Sequence, residues 1–164
     1  MTAAMYSFTA PADAGTAETW RELREAAVAL TEGEPDAVAN MANLAALIWQ
    51  FVPRLNWAGF YRVIDGGLVV GPFMGKPACI RIAMGAGVCG TAAQEGKTQL
   101  VRDVHTFAGH IACDAESASE LVVPVLRNGV VIAVIDLDSP DVARFDAEDA
   151  AGLEALAEAI ATRI

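Results

Sequence analysis

The dipeptide Asn128-Gly129 restricts the fold of this 164-residue chain more than any other feature. A two-residue connection between twisted antiparallel strands needs positive φ at its central residues, and asparagine and glycine are the residues that tolerate it best. The flanks, Leu121 to Leu126 and Val130 to Asp138, are rich in β-branched side chains, so the segment reads as a β-hairpin. A second hairpin is predicted around Asp65-Gly66-Gly67, from Asn56 to Ile64 and from Leu68 to Phe73. Shorter pieces lie between them: a strand at Ile80 to Ile82, a glycine-bounded helix over 87–96, and a strand at Gln99 to Val101.

Helices are expected at both ends. Over 17–31, Trp20, Leu23, Ala27 and Leu30 recur at helical spacing, and Gly33 supplies the stop. Glu34-Pro35-Asp36 opens a second helix whose stripe is Val38, Met41, Ala45 and Ile48, extended by Trp49, and Pro53 closes it. Asp146 caps a last helix along which Leu153, Leu156 and Ile160 repeat. Hairpins in the middle and helices at the ends define an α+β chain, a central antiparallel sheet flanked by N- and C-terminal helices. Without internal repeats or linkers, a single domain is expected over 17–164, preceded by a flexible leader over 1–16.

Eleven basic and 21 acidic residues give a net charge of −10, which argues against nucleic acid or an anionic membrane as partner. A mean hydropathy of +0.38 is too apolar for a disordered chain, yet no apolar run reaches the roughly 18 residues of a membrane span. The first residues show neither a basic nor an apolar stretch of the secretory kind, so a cytoplasmic location is expected. Thiols stay reduced there unless they are catalytic, redox-sensing or metal-bound, which puts the weight of the question on three cysteines.

Cys79, Cys89 and Cys113 have no CxxC spacing, so the fold must assemble any site they share. Cys113 falls in an irregular stretch, 102–119, of the length at which structureless segments tend to be functional. Cys89 sits among small apolar residues of the short helix and reads as structural, while Cys79 suits either a core thiol or a partner for Cys113. The three cysteines with His110 could alternatively hold a structural zinc. Asp136 and Asp138, at i and i+2, point to one face of an otherwise apolar strand. Pairing across a regular two-residue turn sets Leu121 opposite Asp136. That register brings Glu120 to the same end of the hairpin but puts it on the opposite face. Pro124, which cannot donate to the ladder, marks a candidate bulge. Carboxyls crowded into one pocket hold their protons toward neutral pH and can act as acids, while their field opposes formation of a nearby thiolate. Trp57 and Tyr61 share a strand face and could wall a ligand with an apolar or sulfur-containing tail. The sequence from Gly85 to Gly90 does not complete a dinucleotide fingerprint.

Several segments together resemble the free methionine-(R)-sulfoxide reductases, enzymes built on a GAF domain. They are Asn56-Trp-Ala-Gly-Phe-Tyr61, Gly71-Pro-Phe-Met-Gly-Lys-Pro-Ala-Cys79, Gly87-Val-Cys-Gly-Thr-Ala-Ala93, Asp103-Val-His105, Gly109-His-Ile-Ala-Cys-Asp114 and Ile135-Asp-Leu-Asp-Ser139. The resemblance implies a GAF-like domain that reduces the free amino acid sulfoxide with thioredoxin as electron donor, as a homodimer, with no metal and no organic cofactor. Carried over by position, it makes Cys113 the nucleophile, Cys79 the resolving cysteine and Cys89 a cysteine of lesser or backup role. It likewise makes Glu120, Asp136 and Asp138 pocket carboxylates, and Trp57 and Tyr61 the wall of the substrate pocket. The alternative is a GAF module that senses a small molecule or redox state without turnover, because fold alone does not establish function.

Overall fold

Two helices lead the chain, α1 (Thr16–Leu30) and α2 (Ala37–Phe51). They are followed by β1 (Trp57–Ile64), β2 (Gly67–Gly75), β3 (Arg81–Ala83), α3 (Gly87–Glu95), β4 (Gln99–Val101), β5 (Ser119–Arg127), β6 (Val130–Ser139) and α4 (Ala147–Ile160). The structure, a computed structural model, describes residues 7–9 and 16–164. The leader expected over 1–16 therefore lies outside the described residues, except for 7–9 and for Thr16, which opens α1. A single turn of 3-10 helix, Val104–Thr106, interrupts the stretch expected to be irregular.

The six strands form one sheet in the order β3-β2-β1-β6-β5-β4, with every neighbouring pair antiparallel. Asn128 and Gly129 take φ of +52° and +78°, and Asp65 and Gly66 +50° and +76°, so both predicted hairpins turn as their sequences require. Asp36 accepts the N–H of Ala39 at 2.8 Å to start α2. Asp146 and Asp149 cap each other's backbone at the start of α4, a reciprocal capping box. Asp149 is itself buried, and the Trp20 indole (2.9 Å) and Arg144 (3.1 Å) both donate to it.

Helices α1, α2 and α4 cover one face of the sheet. Trp20, Leu23, Leu44, Ile48, Phe51, Leu153, Leu156 and Ile160 pack there against Ala58, Phe60, Leu121, Val123, Ile135 and Leu137. Of the stripe expected for α2, Met41, Ala45 and Ile48 are buried, but Val38 is 54% and Trp49 37% exposed, while Leu44, Leu47 and Phe51 complete the buried arc. Helix α1 and strands β1 and β2 share the apolar surface of α2, and a linear stripe does not say which edge of a broad apolar arc they will cover.

The β5–β6 register departs from the regular hairpin. Arg127 pairs with Val130 and Leu126 with Val131, but Val125 pairs with Ala133, leaving Ile132 as an extra residue in β6. Pro124 is paired with Val134 and does not carry the bulge. Beyond the bulge Leu121 meets Leu137 rather than Asp136, and Glu120 meets Asp138. A slip of one residue exchanges the faces of a strand, so Glu120 joins Asp136 and Asp138 on one face instead of opposing them. That face is the one away from α1, α2 and α4.

Candidate active site

The second face of the sheet is covered by α3 and by the two loops that carry Cys79 and Cys113. Trp57 and Tyr61 of β1 lie on it with their rings 5.7 Å apart, and Phe73 of β2 stacks on the far side of Trp57 at 5.1 Å. The Trp57 indole donates to the Lys76 carbonyl (3.1 Å) and the Tyr61 hydroxyl to the Cys79 carbonyl (3.0 Å), so the aromatic wall also anchors the Cys79 loop.

Two glycines let α3 pack closely against the Cys113 loop and the end of β3. Gly87 begins the helix at φ +61°, and a Cβ there would press on Ile111 of the Cys113 loop at 3.1 Å. At Gly90 a Cβ would lie 2.4 Å from the Ala83 carbonyl. This approach delivers the buried Cys89 thiol to within 3.9 Å of Glu120 Oε1.

Cys79 and Cys113, 34 residues apart in sequence, are joined by a disulfide with Cα atoms 5.6 Å apart. The two loops are further tied by Lys76, which pairs with Glu116 and lies 3.9 Å from Asp114. Asn56, just before β1, holds the Cys113 loop from below, donating to Ser117 (3.0 Å) and Asp114 (3.3 Å). The disulfide occupies two of the four side chains that a zinc site of three cysteines and His110 would use.

Beneath the disulfide lies a cavity of about 40 Å³ lined by Trp57, Tyr61, Cys89, His110, Cys113, Asp114, Glu120, Asp136 and Asp138, among others. Glu120 and Asp136 are each only 6% exposed. Burial, reinforced by mutual repulsion, pushes the carboxyls of Glu120, Asp136 and Asp138 well above the usual range. Burial and then the charge of Asp136 do the same to the Cys89 thiol and the Tyr61 hydroxyl. His110 Nε2 lies 3.6 Å from Glu120 Oε2, and burial pushes its pKa down. One carboxylate oxygen, Asp136 Oδ1, is buried without a hydrogen-bond partner. The donor atoms of Cys89, Glu120 and Asp136 lie within 4.8 Å of one another, close enough to share a cation or the polar end of a small molecule.

The residues that the resemblance assigns to the site thus converge: three cysteines, three acids and two aromatics. His105 does not, and instead bonds Asp103 at the surface. Reasoning from sequence gave no role to Asn56 and Lys76, the ties between loop and sheet. The only signal for Asn56 was its place at the head of the aromatic strand. A pocket with paired cysteines, carboxyls whose pKa values burial raises and an aromatic wall can reduce a small polar oxidant by two electrons and supply the accompanying proton.

The GAF domain model matches residues 38–164, and the chain is a GAF domain. Protein ZMO0507 of Zymomonas mobilis is 56% identical over 80% of this chain and 82% of its own length. The free methionine-R-sulfoxide reductase of Escherichia coli is 47% identical over 85% of this chain and 84% of its own. The solved structure of free methionine-R-sulfoxide reductase from Neisseria meningitidis in complex with its substrate superposes with a TM-score of 0.92 and 40% identity, covering 97% of this chain and 95% of the other. Within the GAF class, this chain belongs to the family of free methionine-R-sulfoxide reductases.

Proposed function

We propose that this protein reduces free L-methionine-(R)-sulfoxide to L-methionine with the Cys79–Cys113 pair as its redox centre. The observation that carries the reading is the Cys79–Cys113 disulfide, whose Cys113 lines one cavity with the aromatic wall and the carboxyl cluster, in a chain 47% identical to an enzyme named for this reaction. In the reduced protein the Cys113 sulfur attacks the sulfoxide sulfur. A protonated carboxyl of the Glu120, Asp136 and Asp138 cluster donates to the sulfoxide oxygen, and methionine leaves Cys113 as a sulfenic acid. Cys79 condenses with it, releasing water and forming the disulfide, which an external dithiol reduces by exchange. Trp57 and Tyr61 hold the thioether chain of the substrate, and Cys89 serves as a reserve thiol.

The family resemblance adds thioredoxin as reductant and a homodimer, and the sequence itself a cytoplasmic location and a working domain over 17–164. Among the described residues no helix is long and apolar enough to cross a membrane. The test is NADPH consumption with thioredoxin and thioredoxin reductase, comparing the free R epimer, the free S epimer and a peptide-bound sulfoxide. Turnover confined to the free R epimer and abolished in Cys113→Ser is expected. Ligand binding without turnover by the reduced protein would instead establish a sensor.

A further inference from the structure

The mechanism leaves one proton without a path. Cys113 must lose its thiol proton to become a nucleophile, in a pocket where burial pushes the carboxyls toward their protonated forms. The side chains lining the cavity include one basic nitrogen, that of His110. Tight turns, Phe107 O accepting from His110 N–H at 3.2 Å and Ile111 O from Cys113 N–H at 3.0 Å, fold the loop so that His110 and Cys113 line the same cavity three residues apart. On its other side His110 reaches Glu120, 3.6 Å away, and only 15% of its side chain is exposed.

We propose that His110 is the general base for Cys113 and that it passes the proton through Glu120 to the sulfoxide oxygen, a role that rests on Cys113 being the nucleophile. The step balances. His110 takes the thiol hydrogen, the sulfur attacks, and His110 in its charged form reprotonates Glu120 after Glu120 has donated to oxygen. The sulfur–oxygen bond of the substrate breaks as Cys113 gains that oxygen. Cys113 is oxidised by two electrons and the substrate sulfur is reduced by two; the sulfenic oxygen carries the proton that Glu120 held, and the original thiol hydrogen replaces it on Glu120. The titratable groups around His110 are Glu120 on β5, Asp136 and Asp138 on β6, Cys89 on α3, Tyr61 on β1 and Asp114 in its own loop. Burial pushes the pKa values of Glu120, Asp136, Asp138, Cys89 and Tyr61 upward, toward their protonated forms. Asp114 is engaged by Asn56, Lys76 and the Glu116 N–H.

The test is single-turnover methionine release from the reduced full chain, together with iodoacetamide alkylation of Cys113 followed by peptide mass spectrometry across pH. His110→Gln is expected to slow methionine release by about 100-fold, the lower range for general acid–base catalysis, and to move the alkylation midpoint to higher pH. His110→Gly should recover part of the rate with added imidazole, which a merely structural histidine would not allow. In the wild-type chain, which needs no variant to fold, the rate should rise with pH through a midpoint below the ordinary histidine value of 6.5. A wild-type rate independent of pH across about 4 to 7 overturns the proposal. So does a His110→Gln protein with unchanged rate and alkylation profile. Methionine release by Cys113→Ser would remove the nucleophile reading itself, and the proposal with it.

Discussion

The two faces of the β5–β6 hairpin are made of alternate residues of the same strands and have opposite characters. Leu121, Val123, Ile135 and Leu137 face three helices in a dry apolar core. Their immediate neighbours, the buried Glu120 and Asp136 and the half-buried Asp138, face α3 and the cysteine loops with their carboxyls. The first face gains stability from burial, and the second is held in place against its own desolvation by the first. Stability and chemistry are thus separated by half a strand repeat, which lets each be altered with little direct effect on the other.

The sharpest way to break the comparison is a substitution that costs one face its chemistry and not its fold. Asp136→Asn should lower turnover by about 100-fold or more while the urea midpoint at neutral pH stays level or rises, because a buried repelling carboxyl is removed. On the other face Leu137→Ala should do the reverse. It should cost about 2–5 kcal/mol in urea unfolding, with the folded fraction retaining its specific activity. A pH series sharpens the contrast. Glu120 and Asp136 have folded-state values raised above the 4.5 and 3.8 of free side chains, so the native state binds more protons than the unfolded chain above that range. Their contribution therefore falls as pH rises from about 4 toward neutrality, and Asp136→Asn should become progressively more stable relative to wild type over that interval, measured as the difference in urea midpoints. The smallest effect is expected away from both faces. Asp146→Ala should lose about 1 kcal/mol by removing the cap of α4, with no change in substrate affinity.

Much of this was legible in the chain. The turn residues Asn128-Gly129 and Asp65-Gly66, the caps Asp36 and Asp146, and the spacing of Leu153, Leu156 and Ile160 are local signals, and each element formed where its signal lay. The candidate site was legible as a set of residue types: thiols in a loop, acids on an apolar strand and aromatics on another. Its assembly was less so. The register of β5 against β6 was misread by one residue because Ile132 carries no mark that distinguishes it from its apolar neighbours. Cys89 read as structural because its own neighbours are small and apolar, and nothing near it in sequence announces Glu120 at 3.9 Å.

By itself, then, the sequence determined the elements, the antiparallel hairpins and the chemical inventory of the pocket, because turn conformation, capping and hydrophobic period are set by residues within a few positions of one another. Only the tertiary structure decided that Glu120 turns inward beside Asp136 and Asp138, that Cys79 and Cys113 meet, and that His110 comes to rest on Glu120. Each of those depends on a bulge, a close helix approach or a loop tie whose cause lies in the packing of segments far apart in the chain.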